Sequence, residues 1–197
     1  MNDPQTGKAD LRRRARRGHA ALDGWRVEQH SAAIFSHLQG LSVWSDTRVL
    51  HTYVDSLPGE VATREVIEAA ATAGVRVLVP IVEALDQPLR HAQIDGLRDL
   101  QVSSRGLLQP TCPHFVKDLS VIDLVLVPGL LFDRRGYRVG QGGGLYDRFL
   151  ARVGGAITVG LTYDDFIIDR IPDEDHDIPV HLVITPSGVY TPPAKGR

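Results

Sequence analysis

The residues best suited to chemistry are Gly140-Gln141-Gly142-Gly143-Gly144, flanked by Arg134, Arg135, Arg138, Arg148 and Arg152. Glycine has no Cβ, so its backbone N–H can come close to an anion. A helix expected over 145–153 adds the partial positive charge of its N-terminus. Together these make a phosphate cradle and point to a nucleotide enzyme. The loop matches neither common glycine signature. Counted from Gly140, G-x-G-x-x-G needs its last glycine where the chain has Leu145, and no Gly-Lys-Ser/Thr follows. A plain strand-to-helix turn does not require the conformational cost of three successive glycines.

Other groups could join this loop. Asp147 falls in the first turn of the expected helix. It either stabilises the helix dipole or gives Mg²⁺ a carboxylate beside phosphate oxygens. The run Asp173-Glu174-Asp175-His176-Asp177 reads alone as a solvated loop. Folded over the glycines, it would complete a metal site. Lys8 and Arg12 stand four apart on one face of a basic helix, within possible reach of a triphosphate. With Arg13, Arg14, Arg16 and Arg17 they also fit a solvated or RNA-facing charge run, although no aromatic platform is interleaved. Glu60 lies between a strand and a helix, where ligands of open α/β sheets bind, or it caps the helix. Tyr53 and Tyr146 either stack on a flat ring or pack. No H-x-x-x-H or H-E-x-x-H spacing supports zinc.

The elements that must hold these groups are those of an ordinary globular chain. Its 197 residues are 43% hydrophobic and 23% charged, with net charge −2. One domain over 1–197 is expected, and the charge argues against general polyanion binding. Cys112 is the sole cysteine, so no disulfide framework exists. No apolar run has the length of a signal or membrane span, which implies a cytoplasmic protein without a membrane partner. A monomer is the plain expectation. Residues 1–40 read as a basic helical region, with helices over 8–22 and 27–38. Strands are expected over 47–54, 75–82, 122–127, 157–161 and 182–185, with helices over 61–73 and 145–153. Residues 83–120 read as short strands and loops, and 192–197 as a frayed tail. The alternation implies an α/β fold: a mainly parallel, mixed sheet with helices on both faces, in three layers.

These pieces occur in an order that resembles one family. They are Lys8-x-x-Leu11-Arg12, Glu60 before Thr63, Val79-Pro80, Asp123-Leu124-Val125-Leu126-Val127-Pro128-Gly129, Phe132-Asp133 and Gly136. Then come Arg138-Val139-Gly140-x-Gly142-Gly143-Gly144-x-Tyr146-Asp147-Arg148, His176-Asp177 and Ile184-Thr185-Pro186-x-Gly188. The chain resembles the 5-formyltetrahydrofolate cyclo-ligases, also called 5,10-methenyltetrahydrofolate synthetases. The resemblance implies ATP and Mg²⁺ as cofactors and a small-molecule folate as substrate. It implies ring closure through a phosphorylated formyl group, with ADP and phosphate released. It places Lys8, Arg12, Arg138, Gly140, Gln141, Gly142, Gly143, Gly144 and Tyr146 on ATP, with Arg138 and Arg148 as electrostatic groups. It places Tyr53, Glu60, Gln141, Gly142, Gly143, Gly144 and Leu145 on the folate, and Asp147 and Asp177 on Mg²⁺. Four positions depart from the family's usual residues: Gln141 where Arg or Tyr is common, Leu145 for Tyr, Gln109 for Glu and His181 for Asp. They leave open a non-catalytic or altered-specificity relative on the same scaffold.

Overall fold

An apolar run without alternation, such as Leu124-Val125-Leu126-Val127, needs cover on both faces of its sheet. The computed structural model, which describes residues 7–193, supplies that cover. Helices α1 (Lys8–Ala20), α2 (Gly24–Gln39) and α3 (Ser42–Asp46) precede strand β1 (Val49–His51). Helix α4 (Arg64–Thr72), β2 (Arg76–Ile81), β3 (Arg90–Ile94), β4 (Leu100–Val102), β5 (Leu108–Pro110) and β6 (His114–Phe115) follow. Then come β7 (Leu124–Val127), β8 (Leu131–Asp133), β9 (Arg138–Val139), helix α5 (Leu145–Leu150), β10 (Ile157–Leu161), β11 (Ile167–Ile168), β12 (Leu182–Thr185) and β13 (Gly188–Tyr190).

The main sheet has the order β13-β12-β10-β7-β1-β2-β3-β6. Its five central strands, β12 to β2, are parallel, and β13, β3 and β6 join antiparallel. Side chains alternate across a strand, so the sheet feeds two cores. Leu50, Val77, Leu124 and Leu126 pack with Ile34 and Leu38 of α2 and Ile67 of α4. Val49, Leu78, Val125 and Val127 pack on the other face with Phe149 and Leu150 of α5. The mixed, mainly parallel sheet with helices on both faces is as expected.

Several boundaries differ from the expected ones. The strand over 47–54 keeps only β1, and beyond it the carbonyl of Tyr53 accepts the Thr63 hydroxyl at 2.8 Å. The helix over 61–73 starts at Arg64, because Ala62 N–H donates to Ser31 Oγ and Thr63 N–H to Asp55 Oδ1. The helix over 145–153 stops at Leu150. Arg152 and Val153 then make three-residue turns to Phe149 and Leu150 before Gly154-Gly155. Residues 83–120 hold short strands and loops, but β3 is a full antiparallel strand. The expected elements did not include α3, β13 or the small sheet β11-β8-β9. Of the tail, Pro192 is half-buried beside Gly136, while 194–197, like 1–6, lie outside the described residues.

Candidate active site

The glycine loop does not follow β7 directly. Pro128-Gly129 leads into the β8–β9 hairpin, and the loop runs from β9 to α5. The buried Asp133 carboxylate shapes the hairpin by accepting the amides of Arg135, Tyr137 and Ile171. Arg135 bridges Asp133 and Asp173 at 2.8 Å each, which ties the acidic run to the hairpin. The acidic run does fold toward the glycines: Glu174, His176 and Asp177 line the same cavity of about 560 Å³. Pockets of this size take small molecules.

Helix α1 closes another part of that cavity. Lys8 pairs with Asp177 and with Glu174, the latter at 3.1 Å. One turn on, Arg12 Nε donates to the carbonyl of Gly140 at 2.9 Å. A further turn on, Arg16 donates to Gln141 Oε1 and to the Gln141 carbonyl, both at 2.9 Å. Gly142 holds φ +103°, in the left-handed region that side chains avoid, with the Arg12 guanidinium 3.2 Å from where its Cβ would stand. Arg12 therefore meets the glycine loop, while Lys8 meets the acidic run across the same cavity. Arg16, read from the sequence as part of the solvated or RNA-facing charge run, is reached by the same four-residue step. The neutral Gln141 accepts from Arg16, which is not among the cavity-lining residues and so latches the loop from outside.

The expected electrostatic groups have separate duties. Arg138 lines the cavity with its side chain only 4% exposed. It donates to Asp147 Oδ1 at 2.8 Å and to the Ile178 carbonyl at 2.7 Å. Burial lowers its pKa, and Asp147 opposes that shift. Arg148 is not among the cavity-lining residues. Its guanidinium donates to the carbonyls of Gly143 at 2.9 Å and Leu85 at 3.1 Å, clamping the loop from outside the cavity. Helix α5 has six residues, so its dipole adds less than the longer expected helix would.

The apolar side of the cavity includes Tyr53, Leu57, Pro80, Leu107, Leu145 and Tyr146. Glu60 does not cap α4. Its Oε2 accepts the amides of Ser56 and Leu57, at 3.0 and 2.9 Å, and so closes the 56–60 turn. Burial pushes the Glu60 pKa up, against those two hydrogen bonds. The Tyr53 hydroxyl is used internally, on the Val61 carbonyl at 3.0 Å. The Tyr146 hydroxyl is buried without a hydrogen-bond partner. Of the four departures, Gln109, Gln141 and Leu145 line the cavity. His181 does not; its Nδ1 meets Thr158 N–H at 3.0 Å and pins β12 to β10. His19 and Arg105 line the cavity without having been assigned to it from sequence, whereas Gln109 was marked there only as a departure from the family's usual residue. His19 is buried with its ring nitrogens on the carbonyls of Gly59 and Leu130, while Arg105 and Gln109 lie in a segment without periodicity.

A metal ion finds only partial ligation. Among the described residues no three of His, Cys, Asp and Glu stand together to hold one. Asp147 and Asp177 line the cavity as oxygen donors, which is the chemistry Mg²⁺ takes. Asp147 meets Arg138 and the Ile178 amide through Oδ1, and Asp177 meets Lys8 and the Glu174 amide through Oδ2. They suit an ion that arrives with phosphate oxygens. No helix among the described residues is long and apolar enough to cross a membrane.

Comparison with known proteins gives a consistent result. The model of the 5-formyltetrahydrofolate cyclo-ligase family matches residues 4–186. The 5-formyltetrahydrofolate cyclo-ligase of Mycolicibacterium smegmatis is 31% identical over 165 residues, covering 81% of this chain and 83% of its own. That of Escherichia coli K12 is 32% identical over 139 residues, covering 68% and 76%. The NMR structure of Aquifex aeolicus 5,10-methenyltetrahydrofolate synthetase superposes with TM-score 0.81 at 28% identity, over 96% of this chain and 94% of that one. A Mycoplasma pneumoniae 5,10-methenyltetrahydrofolate synthetase, 20% identical with TM-score 0.74, shares the fold. On a matched span this long, and with relatives above 30% identity, the chain belongs to the 5-formyltetrahydrofolate cyclo-ligase family, whose named members are ligases forming a C–N bond.

Proposed function

We propose that the protein closes 5-formyltetrahydrofolate to 5,10-methenyltetrahydrofolate at the expense of ATP. One observation carries the reading: a single cavity is lined by the cation-latched glycine loop and by Glu60 with its apolar surround. Lys8, Arg12 and the amides of 140–144 hold the triphosphate. Glu60 takes the N–H edge of the pterin, while Tyr53 and Leu145 cover its faces. The formyl oxygen attacks the γ-phosphorus and ADP leaves. N10 then attacks the formyl carbon, the C–O bond breaks, and phosphate departs as N10 loses its proton. Arg138 offsets the charge gathering on the transferring group, which is the main task in phosphoryl transfer. Mg²⁺, held by Asp147 and Asp177, would neutralise phosphate charge.

The test mixes purified protein with ATP, Mg²⁺ and 5-formyltetrahydrofolate and follows methenyltetrahydrofolate absorbance. A rise that depends on all three supports the reading. A flat trace, beside an active control enzyme and with the protein folded, overturns it.

A further inference from the structure

Most polar groups of the cavity already have protein partners, but the amide nitrogen of Gln109 does not. Gln109 Nε2 is shielded from solvent and makes no hydrogen bond, yet the residue lines the cavity. An unpaired buried polar group destabilises the protein that carries it. Such a cost is offset when a ligand supplies the missing partner.

Gln109 is held firmly. It sits on β5 opposite Gln101 of β4. The neighbouring Leu108 N–H donates to Ser56 Oγ at 3.0 Å. The Ser56 amide in turn donates to Glu60 Oε2 at 3.0 Å. A short chain of bonds therefore links the strand of Gln109 to the carboxylate of Glu60.

Resting on the folate reading above, we infer that Gln109 is a specificity-determining residue whose Nε2 donates to the pterin ring carbonyl. The chemistry of that edge is donor, donor, acceptor. Its amino group and ring N–H suit the Glu60 carboxylate, and the adjacent carbonyl oxygen needs a donor. A carboxamide offers two N–H donors where an ionised carboxylate offers none. Nε2 has no protein hydrogen bond to give up when the carbonyl arrives.

Gln109→Met keeps the length of the side chain and removes its polar atoms. It leaves the melting temperature unchanged or raises it, since an unpaired buried group is lost. Calorimetric titration gives a Kd for 5-formyltetrahydrofolate raised at least tenfold, with the Kd for ATP unchanged within twofold. Folate affinity equal to wild type overturns the inference, as does an equal loss for both ligands. If Gln109→Met does not fold, Gln109→Asn draws the amide back by one methylene and is read by the same titration. Unchanged folate affinity in that variant overturns the inference. Wild-type protein that binds no 5-formyltetrahydrofolate overturns the proposed function as well, so the two failures are distinguishable.

Discussion

At the scale of single residues, the structure changes what Asp147 is for. The sequence offers a choice between helix dipole and metal ligand. The 2.8 Å bond to Arg138 adds a third duty, pairing a cation whose side chain is 4% exposed. Removing one partner of a buried pair leaves the other uncompensated and typically costs about 3–5 kcal/mol. Asp147→Asn therefore lowers stability by about 3 kcal/mol in denaturant titration, in addition to its effect on turnover. Unchanged stability would show that Arg138 finds other partners. Glu60→Gln is the contrasting case. Burial already disfavours its charge, so the variant keeps or raises the melting temperature while 5-formyltetrahydrofolate affinity falls about tenfold or more, one strong charge-assisted hydrogen bond.

At the scale of elements, α1 belongs to the site through its spacing. Lys8, Arg12 and Arg16 repeat every four residues and meet the acidic run, Gly140 and Gln141 in turn. Gln141→Arg would set two cations together where Arg16 now finds an acceptor. The expected outcome is a higher KM for ATP, with Arg16→Ala restoring part of the loss in the double variant; additive effects would mean that the two residues are uncoupled. The far end of α1 needs Gly59. That residue has φ +71°, and a Cβ there would stand 2.2 Å from the His19 carbonyl oxygen. Gly59→Ala forces α1 off the 56–60 turn. It costs about 2 kcal/mol or more, and both ligands bind more weakly. Melting curves within a degree of wild type would contradict this packing.

At the scale of the whole molecule, the second core carries an acid-labile pair. His51 and His91 meet at 3.0 Å on buried strands, with Phe149 packed on both rings. Burial drives both pKa values down, His91 to about 4, with Arg152 adding to its shift and His91 adding to that of His51. The folded chain keeps these rings neutral, whereas the unfolded chain protonates them below about 6.5. Stability is thus fully present above pH 6.5 and falls as the pH drops from 6.5 toward 4. His91 alone accounts for a loss on the order of 3 kcal/mol. Denaturant titrations at pH 7, 6, 5 and 4.5 measure the slope. Replacing both histidines by leucine flattens it; an equal slope in that variant would assign the loss to other groups.

The sequence by itself determined the strand cores, the alternating α/β order and the glycine-loop motif. Each depends on neighbours along the chain: continuous apolar runs, helical spacing, or absent Cβ atoms. Two expected strands, β10 and β12, are found at their expected bounds. The ends of β1, α4 and α5 were not legible, because side chains distant in sequence, or a few local turns, take the backbone groups that a regular element would use. Only the tertiary structure decided which charges face the cavity. Arg138 turns inward to Asp147, Arg148 clamps the loop from outside, and Gln141 meets Arg16 across 125 residues. It also decided that Gln109, in a stretch without periodicity, lines the cavity. Residue type gives a side chain its chemistry; the partners that direct it come from strands and helices brought together by burial of the two cores.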